Sequence, residues 1–213
     1  MTSLHHHTLD ALTQAHARAL SCTDLESAWR ELAQFCVAHL GDAQAHTVPG
    51  AMAEGQTQYQ ISGCFVVTPD TQHHMLVGHV GFPAEQARLM IPIDGGHPGW
   101  VYAHRQALLL GDTAQSTTAF KQYLKTSRMG SAMYCPMLSQ QQFIGMFVMA
   151  AQAKHTLREC DLSVLKLVAH LAVALWHAHG GPAWLAAHHP PENGFWVDAG
   201  GLADSAKPSG LKG

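Results

Sequence analysis

The sequence has little charge and no concentrated basic segment. Its 213 residues include 12 Lys and Arg and 15 Asp and Glu, for a formal net charge of -3. A nucleic-acid backbone or an anionic membrane requires a concentrated basic surface, so neither is expected as the main partner. Small molecules and proteins remain.

Long apolar runs and paired cysteines are also missing. No segment approaches the roughly eighteen uninterrupted apolar residues of a membrane span, and the first twenty residues lack an apolar core. We therefore expect a cytoplasmic protein. The five cysteines are widely spaced and contain no C-x-x-C pair, which favours reduced thiols that serve as small apolar side chains: Cys22, Cys36, Cys64, Cys135 and Cys160.

Apolar residues make up 47% of the chain and indicate that it folds. Its length fits one domain with a sizeable core and appended segments better than two small domains. Periodicity predicts an N-terminal helix in residues 1–23. A capping box at Thr23-Asp24-Leu25-Glu26 then predicts a second helix, which Gly41 ends.

Alternating apolar segments after a polar loop predict six strands. A helix that starts near Pro98 separates the third strand from the fourth, and a polar insert at 113–130 with a short helix precedes the fifth. In the second strand, His73, Met75, Val77 and His79 are expected on one face. The predicted strands are 59–68, 73–80, 88–93, 107–110, 131–138 and 143–151.

The last predicted helix runs from Thr156 to about His179 and is apolar around most of its circumference. Such a helix must bury two faces, so besides the sheet it needs another helix. That helix comes either from a second copy in a homodimer or from the N-terminal helices. The tail, 180–213, is expected to be largely irregular, and its aromatic residues either dock on the body, bind a partner or lie in a disordered segment.

The order of these elements resembles a GAF domain over about Asp24 to His179. The residues that carry the resemblance are Ile91-Pro92-Ile93, Gly95-Gly96, Gly99-Trp100-Val101, Leu108-Leu109-Leu110-Gly111-Asp112, Ser131-Ala132-Met133-Tyr134-Cys135-Pro136-Met137 and Phe143-Ile144-Gly145-Met146-Phe147. The resemblance implies an α+β fold. In it, a central antiparallel sheet of about six strands carries N- and C-terminal helices on one face and a ligand pocket on the other. The domain would span 24–179.

His97 is the first candidate for a ligand contact, because it stands where the family usually has an apolar residue, between the Gly pair and Gly99-Trp100. A titratable donor at a helix start could contact an anionic or carbonyl-bearing ligand. The alternative is an exposed loop histidine. His104, seven residues later, could line the same surface. The other predicted pocket residues are Trp100, Phe65, Tyr123, Met129 and Met133, with Phe147 as a further candidate.

Other chemistries of the family lack their residues here. No His lies between His104 and His155 to hold haem, and no cysteine precedes a His as in bilin attachment. The Asn-Lys…Asp signature of cyclic-nucleotide binding is missing. Free methionine sulfoxide reductases need cysteines in the segments that cover the pocket, and no cysteine lies between Cys64 and Cys135. The strand histidines His73, His74 and His79, or the pair His188-His189 in the tail, could bind a transition metal or reflect composition alone.

The resemblance therefore predicts a small-molecule-binding sensor or regulatory module that acts through a partner protein. The cofactor is unknown, and no enzyme is predicted. A dimerisation or docking scaffold with a vestigial pocket is the alternative from another class, and a redox enzyme such as a free methionine sulfoxide reductase is a remote third.

Overall fold

A computed structural model describes residues 2–116 and 128–198. Its α-helices are α1 (Thr2–Leu20), α2 (Leu25–His39), α3 (Gly96–His104), α4 (Glu159–Ala178) and α5 (Gly181–His188). Its strands are β1 (Gln60–Val67), β2 (His73–Val80), β3 (Leu89–Pro92), β4 (Leu108–Leu110), β5 (Ser131–Ser139), β6 (Gln142–Ala151) and β7 (Phe195–Trp196). The predicted elements outside the insert and the tail are thus present.

The strands form one open sheet in the order β4-β5-β6-β1-β2-β3-β7. Six strands pair antiparallel, as predicted. The seventh, β7, pairs parallel with β3, so the sheet is mixed. Helices α1, α2 and α4 lie on one face and α3 on the other. The predicted α+β architecture is confirmed, with the addition of β7.

The tail is more regular than predicted. Gly181 starts α5 so close to Trp176 that a Cβ there would lie 2.0 Å from the indole ring, and Leu185 joins the core on the helix side. Farther on, the Phe195 N–H donates to the Arg88 carbonyl at 2.9 Å. Phe195 also packs on the other face of the sheet. The described part of the tail therefore contains two regular elements, α5 and β7, that were not predicted.

A β-bulge corrects the predicted faces of β2. Ser62 pairs with Val80 but Cys64 pairs with Val77, so β2 holds one extra residue here. Gly78 occupies the bulge at φ +56, and a Cβ there would lie 2.6 Å from the Trp29 Cβ. Beyond it the parity reverses: Val80 packs on the helix side, and His79 contacts Phe82. His79 therefore does not share the face of Met75 and Val77.

Carboxylate side chains cap the starts of α2 and α4. Asp24, rather than Thr23, accepts from the Ser27 N–H at 2.8 Å. At α4, the Asp161 carboxylate accepts from the Arg158 N–H at 2.9 Å and from the Gly41 N–H at 2.9 Å. Asp161 thus also satisfies the backbone that follows α2, which joins the ends of the two helices.

Candidate functional site

The face of the sheet opposite the helix layer forms an apolar floor beneath α3. Its residues come from alternate positions of the strands, because successive strand side chains point to opposite faces. Phe65 from β1 and Leu76 from β2 lie in this layer, together with Met146 and Val148 from β6. Tyr134 of β5 packs against the same cluster and brings a hydroxyl group to the floor.

The N-terminus of α3 lies over this floor and positions His97. The preceding turn is tight: the Gly99 N–H donates to the Gly95 carbonyl at 2.9 Å, and a Cβ on Gly99 would lie 2.2 Å from the Asp94 carbonyl carbon. Glycine at position 99 therefore permits this approach. Pro98 stands in the first turn of the helix, where its missing N–H is tolerated.

His97 points inward and is only 3% exposed. Its Nε2 atom lies 3.0 Å from the Ser116 hydroxyl, and its ring centroid lies 5.9 Å from that of Tyr134. The alternative of an exposed loop histidine is thus wrong. A buried polar side chain here links the roof helix, the floor strand β5 and the segment that follows β4.

The segment that carries Ser116 is held at its start, directly after β4. Asp112 caps a 3-10 turn, Thr113–Gln115, by accepting from the Ala114 N–H at 2.9 Å, and Lys154 pairs with the same carboxyl group at 3.1 Å. The Thr113 hydroxyl donates to the Met129 carbonyl at 2.6 Å. These bonds fix the position of Ser116 beside His97 and bring residue 129 back to the sheet.

The other predicted pocket residues divide between the two faces of the sheet. Phe65 lies on the floor, Trp100 packs partly against it, and Met129 belongs to a small apolar cluster with Ile61 on the same side. Met133 and Phe147 lie in the helix-side core. Placing Met133 in the pocket was therefore wrong, because the odd-numbered residues of β5 face the helices. Tyr123 lies outside the described residues.

His97 and His104 do not line one surface. His104 is exposed, its ring stacks on Trp100 at 4.3 Å, and its Nδ1 atom donates to the Trp100 carbonyl at 2.8 Å. Ser116 contacts His97 in the first turn of α3, whereas His104 stands in the last turn. The two histidines therefore differ in burial although they are two helical turns apart.

Sequence reasoning missed Ser116, Tyr134 and His74. No sequence signal marks the contact of Ser116 with His97, because the two residues lie nineteen positions apart. Tyr134 could have been found from strand parity, since it lies an even number of residues from the floor residue Ala132. His74 is fully buried on the floor side between Tyr102 and Phe143, and its Nε2 atom donates to the Ile93 carbonyl at 3.1 Å.

Burial raises the pKa of three thiols: that of Cys36 to about 12, that of Cys135 to about 11, and that of Cys64 well above its usual value. All three belong to the helix-side core. They are protonated at neutral pH and do not reach the floor beneath α3. Among the described residues, no three His, Cys, Asp or Glu side chains are placed to hold a metal ion.

Helix α4 is the one described helix that is long and apolar enough to cross a membrane. It packs on β5 and against α2 as a core helix. Such helices of folded domains commonly meet the same length and hydropathy criteria, so the property is weak evidence of a membrane span.

Comparison with solved structures identifies this fold. The chain is 18% identical to the GAF domain of a phosphoenolpyruvate-protein phosphotransferase from Coxiella burnetii, with a TM-score of 0.63 over 83% of this chain and 96% of that one. The corresponding domain from Acinetobacter is 14% identical, with a TM-score of 0.60 over 81% and 94%. Free methionine-R-sulfoxide reductase from Neisseria meningitidis is 16% identical, with a TM-score of 0.64 over 82% and 91%.

These low identities establish the fold alone, and no functionally curated protein matches the sequence. The family model for the GAF domain matches residues 45–177, which is more than half of the chain. The protein belongs to the GAF domain family.

Proposed function

We propose that the protein is a cytoplasmic sensor module that binds a small molecule between α3 and the floor of the sheet and passes the change to a partner protein. The observation that carries this proposal is the burial of His97 against Ser116 and Tyr134, above a largely apolar floor. A few convergent polar groups in an apolar site are typical of ligand pockets.

The chemistry of these groups favours a ligand with an anionic or carbonyl oxygen. An imidazole and two hydroxyl groups can donate hydrogen bonds to such an oxygen, and the first turn of α3 adds backbone N–H groups. The floor residues Phe65 and Met146 would cover the apolar part of the same molecule. Helix α3 and the segment from Asp112 to Ser116 can adapt to a ligand more easily than the hydrogen-bonded sheet beneath them.

A second copy of the chain completes the module in this proposal. Five residues on the outer side of α4 repeat at intervals of three and four, as in a coiled-coil seam: Val164, Leu167, Leu171, Ala174 and Ala178. Leu167 is 45% exposed, and the opposite side of α4 is already covered by α2 and the sheet. Pairing through this stripe would connect two ligand sites through their core helices.

Native mass spectrometry of the purified protein, followed by thermal-shift screening of small carboxylates and carbonyl compounds, tests the proposal. A ligand found in this way should bind His97→Ala at least about tenfold more weakly, because a hydrogen bond to a charged group is lost. His104→Ala is the matched control on the same helix and should bind normally.

Two results would contradict the proposal. If no compound is retained and none raises the melting temperature, a scaffold with a vestigial pocket becomes the better interpretation. If a ligand binds His97→Ala and the wild type with equal affinity, the site lies elsewhere. A Ser116→Ala variant separates these cases further, since it should weaken the same ligand without altering the floor.

A further inference from the structure

A second cavity opens at the end of the sheet where β1 and β5 finish and β2 and β6 begin. It has a volume of about 570 Å³, within the range of small-molecule sites. Its wall is built from the C-terminal end of α3, the turn between β1 and β2, the β5–β6 hairpin, and the junction of α4 with α5. His97 and the floor residues Phe65 and Tyr134 do not line it, so this cavity is separate from the site beneath α3.

Aromatic and aliphatic side chains form most of the cavity wall. Tyr102 and Phe143 meet edge to face with ring centroids 5.3 Å apart on the floor side of the sheet. Trp176 and Leu185 contribute from the helix side. Three of these four side chains are almost completely buried, so the wall is held by the core and is preformed.

A hydrogen-bonded pair of polar side chains lies on the wall of this cavity. The Ser139 hydroxyl and the His177 Nε2 atom share a hydrogen bond of 2.8 Å, which joins the hairpin to the end of α4. Arg105 approaches from α3 and donates from Nη1 to the Gln141 carbonyl at 3.0 Å. Arg105 is the C-terminal cap of α3, and its left-handed backbone conformation, with φ +54, ends the helix.

Arg105 carries a permanent positive charge on the cavity wall, and the Thr68 hydroxyl on the same wall donates to the Asp70 carboxylate at 2.6 Å. No Asp or Glu is among its lining residues, and within the part of the chain that the structure describes Arg105 forms no ion pair. No carboxylate hydrogen-bonds the other ring nitrogen of His177 within residues 2–116 and 128–198, so the Ser139–His177 pair lacks the third member of a hydrolytic triad. Its groups are suited to binding rather than to acyl transfer.

We propose that this cavity, bounded by Arg105, the Ser139–His177 pair and the aromatic wall, is a second site, which binds a small organic anion with an apolar body. The guanidinium holds the carboxylate or equivalent anion, Ser139 and His177 add hydrogen bonds, and Tyr102, Phe143 and Trp176 enclose the apolar part. Helix α3 borders both sites, with His97 at its start and Arg105 directly after its end. The helix has nine residues and is about 13 Å long.

Titration calorimetry with naphthalene-2-carboxylate and its neutral amide, naphthalene-2-carboxamide, tests this assignment. The carboxylate should bind saturably, and more tightly than the amide. Arg105→Gln should weaken the carboxylate by roughly tenfold or more and leave the amide almost unchanged, because only the charge-assisted contact is lost. Ala186→Trp, which fills the cavity from an exposed position of α5, should weaken both.

The His97→Ala variant distinguishes this site from the one beneath α3 and should bind the carboxylate like the wild type. Circular dichroism and the melting temperature check that each variant is folded. Equal affinities for acid and amide, the absence of saturable binding by either, or binding that is lost in His97→Ala but unaffected in Arg105→Gln would each overturn the proposal.

Discussion

The indole rings of Trp29 in α2 and Trp176 in α4 lie parallel, with centroids 5.9 Å apart and an interplanar angle of 3°. Trp29 Nε1 also donates to the Ala172 carbonyl at 3.0 Å. This pair joins the helix that precedes the sheet to the helix that follows it. Because Trp176 also borders the second cavity, the contact connects the N-terminal helices to that cavity.

Replacing Trp29 by Phe should lower the free energy of unfolding by about 1–3 kcal/mol. The change removes both the indole donor and part of a fully buried side chain. Urea denaturation measures the difference. Trp196→Phe is the control: Trp196 is 51% exposed, so the change should stay within about 0.5 kcal/mol. Equal losses of unfolding free energy in the two variants would show that the stacked pair stabilises the fold no more than an exposed tryptophan does.

Acidification should destabilise the protein through His74. Burial lowers the pKa of this imidazole from 6.5 to about 4, so the unfolded chain takes up a proton more readily than the folded one between these values. Stability from this group is therefore present above pH 6.5 and is lost as the pH falls. About 2 kcal/mol should disappear between pH 7 and pH 5.

His74→Phe fits the aromatic surroundings and should flatten this part of the pH dependence of unfolding. His79 contributes a slope of the same sign, because burial lowers its pKa too, so some dependence remains in the variant. The exposed His170→Gln serves as control and should keep the wild-type profile. Identical profiles for all three proteins would refute the assignment.

Gly78→Ala should be severely destabilising. At φ +56 a Cβ would lie 2.6 Å from the Trp29 Cβ and 2.8 Å from the Glu26 carbonyl oxygen, so α2 would have to move off the sheet. We expect a loss of more than about 2 kcal/mol in chemical denaturation. Gly55→Ala tests the backbone effect alone, since Gly55 has φ +78 but no atom within 4 Å of its Cβ position. A loss no larger than that of Gly55→Ala would exclude the close approach as the cause.

Leu167→Glu should convert the proposed dimer to a monomer. The substitution places a charge in the middle of the outer stripe of α4, where a second copy would bury it. Sedimentation velocity over a range of concentrations measures the change. Leu20→Glu, at a leucine that is 59% exposed at the end of α1, should not alter the assembly. A monomeric wild type, or a dimeric Leu167→Glu, would rule out this interface.

Much of the fold follows from local sequence patterns. The hairpin strands β1 and β2, the strong apolar runs of β5 and β6, and the apolar stripe of α4 were all predicted within a few residues, because each depends on periodicity within one segment. The bulge at Gly78 does not show in a parity count, since one inserted residue reverses every face that follows. The two residues of β7 are too few to show a period, and their pairing with β3 depends on a contact across more than a hundred positions.

The candidate site was predictable only in part. His97 stands out because its helix start is recognisable from Gly95, Gly96 and Pro98, but its burial depends on Ser116, nineteen positions away. Met133 was misplaced because β5 is apolar on both faces, so composition alone cannot tell which face meets the helices. Contacts between residues far apart in the chain determine the burial of His97 and the facing of Met133, and local sequence patterns do not encode such contacts.

The parallel pairing of β7 with β3 limits how copies of the protein can associate through the edge of the sheet. An uncovered edge strand presents free backbone donors and acceptors that can recruit a strand from another chain. Here Phe195 and Val197 donate their N–H groups to the Arg88 and Met90 carbonyls, so the outer rim of β3 is already occupied. The segment that contains β7 thus protects this edge of the sheet against strand-to-strand aggregation, a risk that would rise if a protease removed it.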